Sequence, residues 1–133
     1  MTRYVIDAPT LLHLVAEGVE VSPTHQLVAP GIIRSQALSL LFAAVRAGEF
    51  SEDVALERHE RLTALKMRLL NDRVSRRTAW RIAREQGWAT TLEAEYLAVT
   101  KLQADAFVTV DETMAVKARP VVDMAPFEAL SSS

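Results

Sequence analysis

"TTLEAEYLAVTKLQADAFVTVDETM", residues 90–114, holds the two patterns on which the reading of this chain turns. Residues 90–104 space their apolar side chains at helical period. Residues 105–111, "DAFVTVD", form a short apolar run of the kind found in strands covered on both faces. One carboxylate stands near the start, Glu93, and one near the end, Asp111. They are either solvated caps or two halves of one site.

Working outward, the same alternation of short strand and helix recurs. "RYVID" (3–7) reads as a buried strand, and "PTLLHLVAEG" (9–18) as a helix with Pro9 in its first turn and Gly18 at its end. "HQLVAP" (25–30) is strand or loop. "GIIRSQALSLLFAAVRAGEF" (31–50) is a long apolar helix. Ser51 is placed to cap the next, "EDVALERHERLTALKMRLLN" (52–71). "SRRTAWRIAREQGW" (75–88) is a further helix with Gly87 at its C-terminal end. After the 90–114 stretch, "RPVVDM" reads as a last strand. Strands that alternate with helices predict a parallel α/β sheet, because parallel neighbours need crossover connections.

Composition bounds the function. A chain of 133 residues, 50% hydrophobic and 24% charged, is sized for one globular domain, 1–133, with a real core. Aromatics are 6% of the residues, so that core is built from Ala, Leu and Val. There is no cysteine, which excludes disulfides, thiolate metal sites and a Cys nucleophile. No apolar run reaches membrane-spanning length and the start lacks a secretory h-region, so a cytoplasmic location is expected. No Gly-rich phosphate loop is present, and His13, His25 and His59 fit no Ser/His/Asp arrangement.

Net charge is −2 but unevenly spread. Residues 58–84 carry nine Lys or Arg against two acids, Glu60 and Asp72. Arg73, Arg76 and Arg77 fall near a helix junction and are candidates for contact with a phosphate backbone; exposed faces that serve solubility are the competing reading. Trp80 and Trp88 suit either base stacking or burial.

In open α/β sheets, ligands bind beyond the carboxyl ends of the strands. Asp7 and Asp111 both end strands, and Glu93 lies at a helix N-terminus facing the same edge. Three carboxylates drawn together repel unless a cation joins them, and hard oxygen donors suit Mg²⁺ or Mn²⁺. Each acid also has an ordinary structural reading: Asp7 and Asp111 as N-caps, and Glu93 as a first-turn acid favoured by the helix dipole.

These residues resemble the PIN domain, and within it the short VapC-type toxins of toxin–antitoxin modules. "YVIDAPTLLHLV" resembles the family's opening strand, first acid and helix; "APGIIRSQALSLLFAAV" its second segment; "IAREQGWATTLEAEYLAVTKLQADAFVTVDETM" its most recognisable stretch; and "RPVVDMAPFEAL" its close. The resemblance implies a compact PIN-like α/β fold, a central parallel sheet flanked by helices. It implies a Mg²⁺- or Mn²⁺-dependent ribonuclease site with Asp7, Glu93 and Asp111 as metal ligands and catalytic acids. Thr109, read from the residues themselves, is either a supporting hydrogen-bond donor to that cluster or simply a β-branched strand residue. The resemblance also implies an RNA substrate, a homodimer and an antitoxin partner. The chain departs from the pattern at Gln36, where the family commonly has Glu, and at Pro9, where a small hydroxyl residue is common. Gln36 offers a carbonyl oxygen but no charge. Two alternatives therefore stand beside the ribonuclease: a PIN fold that binds RNA or a protein partner without cutting, and a DNA nuclease of similar metal chemistry.

Overall fold

The computed structural model describes all 133 residues. Four short strands carry the sheet: β1 (Thr2–Ile6), β2 (His25–Pro30), β3 (Arg68–Leu70) and β4 (Ala106–Val108). Six helices connect and cover them: α1 (Ala8–Ala16), α2 (Ile33–Arg46), α3 (Glu52–Ala64), α4 (Arg73–Gln86), α5 (Leu92–Gln103) and α6 (Glu112–Ala118). A 3-10 turn, Phe127–Ser131, closes the chain. The sheet is entirely parallel, in the order β3-β2-β1-β4.

The strands form where the sequence is apolar on both faces. Leu27, Val28, Ala29 and Pro30 of β2 are all buried, as are Val5 and Ile6 of β1 and all three residues of β4. Such strands are stable only when helices cover both sides. The helices α1, α2 and α3 pack on one another, while α5 lies across β1, β2 and β4 with α4 against it. Phe107, Leu11, Ile33 and Leu97 are fully enclosed, each contributing about 1.5–3 kcal/mol by leaving water.

Helix boundaries follow local chemistry. The Ser51 hydroxyl accepts from Val54 N (3.2 Å) and starts α3. Gly87 ends α4 with a φ of 72°, a left-handed conformation that suits a residue without a Cβ.

Two expected elements are corrected. The helix expected over 52–71 stops at Ala64, and its last residues form β3, registered Val28↔Arg68 to Pro30↔Leu70. The sequence "LKMRLL" fits either state locally, and a partner strand some forty residues earlier decides between them. "RPVVDM" is not a strand: it gives a single parallel bridge, Phe107↔Met124, because the chain turns directly after α6 through backbone bonds from Val121 and Val122 to Ala118 O.

Candidate active site

The strand order places the site. From β1 the chain moves outward to β2 and β3, then returns to the other side of β1 for β4. Connections diverge at the β1/β4 boundary, and a crevice opens beyond the carboxyl ends at such a switch point. Here lies a cavity of about 310 Å³, its walls including Asp7, Gln36, Glu93, Tyr96 and Asp111. Asp7 directly follows β1, and Asp111 follows β4 after a two-residue bend. Gln36 comes from α2, and Glu93 and Tyr96 from α5.

Asp7 is only 5% exposed and held by three donors. Its Oδ1 accepts from Thr10 N (3.2 Å) and from the Thr10 hydroxyl, and its Oδ2 accepts from the Thr109 hydroxyl (2.7 Å). The two hydroxyls are themselves fixed by backbone amides: Val110 N donates to Thr10 Oγ1 (3.0 Å) and Asp111 N to Thr109 Oγ1 (3.1 Å). Each threonine therefore ties the β4–α6 bend to the end of β1. Burial pushes the Asp7 carboxyl above its ordinary value of 3.8, outweighing the threonine bonds that favour the ionised form; the Asp111 charge pushes the same way.

Asp111 is exposed and caps α6, its Oδ1 accepting from Thr113 N (2.9 Å) and Met114 N (3.3 Å). Its Oδ2 has no hydrogen-bond donor in the protein. Glu93 is turned to Lys117 of α6, with Oε1 2.7 Å from Nζ. That ammonium also lies 5.6 Å from the centroid of the Trp88 ring. Tyr96 is buried and its hydroxyl donates to Gln36 Oε1. Burial first, then the charges of Asp7 and Glu95, raise the Tyr96 phenol and keep it a neutral donor.

The four polar positions singled out from the sequence thus share one cavity, but not as a closed cluster. No group of three or more His, Asp or Glu side chains is gathered tightly enough to hold a metal ion. Lys117 holds Glu93, and Gln36 is engaged by Tyr96. Sequence reasoning missed Thr10 and Lys117. Thr10 carried a signal, because Asp-x-x-Thr matches the spacing from an N-cap to the third helical residue. Lys117 carried none, because its pairing with Glu93 arises from tertiary packing. Tyr96 belongs to the core and also lines the cavity. Asp105 lies at the opposite strand end, accepting from Arg3 N (2.8 Å). Arg73, Arg76 and Arg77 lie apart from the acidic cavity, in a separate groove on α4.

The donor set fits a hard divalent cation in chemistry: two aspartates, one with a free oxygen, and a half-exposed glutamate whose exposed ion pair is cheap to open.

A parallel four-stranded sheet under six helices, with an acidic cavity at the β1/β4 switch point, defines a PIN-like α/β fold. Solved structures bear this out. PAE2754 from Pyrobaculum aerophilum matches over 97% of this chain and 93% of its own, with a TM-score of 0.71 and 21% identity. VapBC-1 from nontypeable Haemophilus influenzae matches over 96% of this chain and 99% of its own, with a TM-score of 0.62 and 15% identity. At these identities the likeness is one of fold. No protein-family model and no curated protein matches the sequence. No helix is long and apolar enough to cross a membrane.

Proposed function

We propose that this chain is a metal-dependent endoribonuclease of the PIN type, the toxin-like member of a toxin–antitoxin pair. The observation that carries it is the meeting of Asp7, Glu93 and Asp111 on one cavity at the switch point of a PIN-like sheet. The fold likeness to VapBC-1 agrees with the sequence's resemblance to VapC-type toxins and supports an antitoxin partner.

Asp7 and Asp111 would hold Mg²⁺ or Mn²⁺, with Glu93 joining on release from Lys117. When bound, such an ion lowers the pKa of a water and stabilises charge on a phosphoryl group. The chain's own residues prepare that chemistry. Thr10 and Thr109 fix the Asp7 carboxylate in one orientation. The α6 amides engage one Asp111 oxygen and leave the other for a ligand. Tyr96 orients the Gln36 amide, so its carbonyl is already shared.

The test is cleavage of a mixed RNA pool with Mn²⁺ or Mg²⁺, beside Asp111→Asn purified identically. Asn caps helices as well as Asp, so the fold survives the change. Cleavage by the native protein alone is the expected result; equal cleavage by both overturns the assignment.

Gln36 and the Glu93–Lys117 pair favour a second reading, a fold that binds RNA or a partner without cutting. Gln36→Glu separates the two. A large gain in metal affinity, together with cleavage that the native chain lacks, supports the weakened site. No gain, with native cleavage, supports the enzyme.

A further inference from the structure

A groove larger than the acidic cavity lies elsewhere on the molecule. It has a volume of about 460 Å³ and is lined wholly by one face of α4: Arg73, Arg76, Arg77, Trp80, Arg81 and Arg84. The opposite face of the helix, Ser75, Ala79, Ile82 and Ala83, is buried. The five arginines form no salt bridge and no side-chain hydrogen bond within the protein. Trp80 stands among them 66% exposed, although a ring of that size normally finds cover.

This arrangement costs the folded chain free energy. Like charges three or four residues apart on a helix repel. Arg73 and Arg76 sit in the first turn, where the helix dipole disfavours positive charge. No salt bridge to these arginines offsets these terms, and a surface serving solubility alone needs no run of a single sign.

We infer that the Arg–Trp face of α4 is a binding track for single-stranded RNA, outside the cavity and independent of any metal. Guanidinium forks match phosphate oxygens. An exposed indole set between them gives a base a surface to stack on. From Arg73 to Arg84 the face runs roughly 16 Å along the helix axis, enough for several nucleotides. Beyond Gly87 the chain reaches Trp88, whose ring lies against Lys117, which in turn holds Glu93 on the cavity wall. An acidic protein surface would also engage both arginine and tryptophan; the unbroken single sign of the face favours a polyphosphate backbone over it. This inference rests on the nuclease reading for its choice of RNA and names where that substrate lies.

The test is binding of a fluorescein-labelled 20-nucleotide single-stranded RNA to the full chain in EDTA, where no metal-dependent cleavage occurs. Arg77→Gln/Arg81→Gln is expected to weaken binding about tenfold and to reduce the salt slope by about 1.4, the share of two lost phosphate contacts on a single strand. Trp80→Leu is expected to weaken it about fivefold or more. Circular dichroism verifies that both variants fold. Affinities within twofold of the native protein overturn the track, as does equally tight binding of poly-glutamate, which would mark an acidic protein partner instead. Hydrolysis of a dinucleotide too short to span the groove keeps the two readings apart. Asp111→Asn abolishes it if the cavity is catalytic. RNA binding that depends on α4, without any hydrolysis, upholds the track and sinks the nuclease.

Discussion

Lys117→Met is expected to raise the affinity of the cavity for Mg²⁺ and Mn²⁺. The ammonium lies 2.7 Å from Glu93 Oε1, and the two side chains are 37% and 42% exposed. At that exposure the pair stabilises the fold by no more than about 1 kcal/mol, so its loss leaves the protein folded. Two effects then favour a cation. Glu93 no longer needs releasing, which returns up to about 1 kcal/mol, and one positive charge leaves the cavity rim, worth about 1 kcal/mol at contact distance in water. Together they amount to about 1–2 kcal/mol, or 5- to 30-fold in affinity. Isothermal titration with MgCl₂ and MnCl₂ at fixed ionic strength reads this directly, and methionine keeps the stem against Trp88. Unchanged or weaker binding in the variant would show that Lys117 does not compete with a cation. Absence of binding to both folded proteins would remove the metal from the proposal altogether.

Further outcomes follow from the same geometry. Because burial raises the Asp7 pKa, the folded state holds that proton more tightly than the unfolded chain does; the contribution to stability is full below about pH 3.8 and is lost as pH rises through the folded value. Asp7→Asn is therefore expected to be more stable than the native protein at pH 7, with the gap closing toward pH 4 in urea titrations; a gap that widens on acidification refutes it. Thr10→Val removes a donor to Asp7 and the acceptor for Val110 N, and is expected to cost about 1–3 kcal/mol in the same assay. Ser51→Ala removes the α3 cap and is expected to cost about 1 kcal/mol while leaving metal binding unchanged.

What the sequence made legible depended on how local the deciding interaction was. The helix α5 and strand β4 stand out because a regular period and a fully apolar run each fill their segment. The buried strand β1 is equally plain. Strand β3 is not, because three residues at a sheet edge exist only through their pairing with Val28–Pro30. Asp7 and Asp111 were legible as candidates because strand ends can be read from the pattern. The partners that decide their behaviour were harder. Thr109 stood next to an expected strand end, whereas Thr10 was overshadowed by the unusual Pro9 beside it. Lys117 reaches Glu93 across 24 residues, through the tertiary placement of α6, and no period reports such a pair.

Cap and cavity wall are not rival readings of the two aspartates. In a parallel sheet each strand's carboxyl end leads into a helix N-terminus, so the N-cap residue stands on the crevice rim. Asp7 caps α1 and Asp111 caps α6 for that reason, and both line the cavity for the same reason. The two are not equivalent, however. Asp111 uses one oxygen and stays exposed. Asp7 spends both oxygens on threonine and backbone donors and is still driven toward its protonated form, because desolvation exceeds what those donors return. A residue kept only as a cap would do better as Asn or Ser, which carry no charge to desolvate. The ionised carboxylate in this position is destabilising within the chain alone, and a positive charge delivered to the cavity is what would reverse the sign.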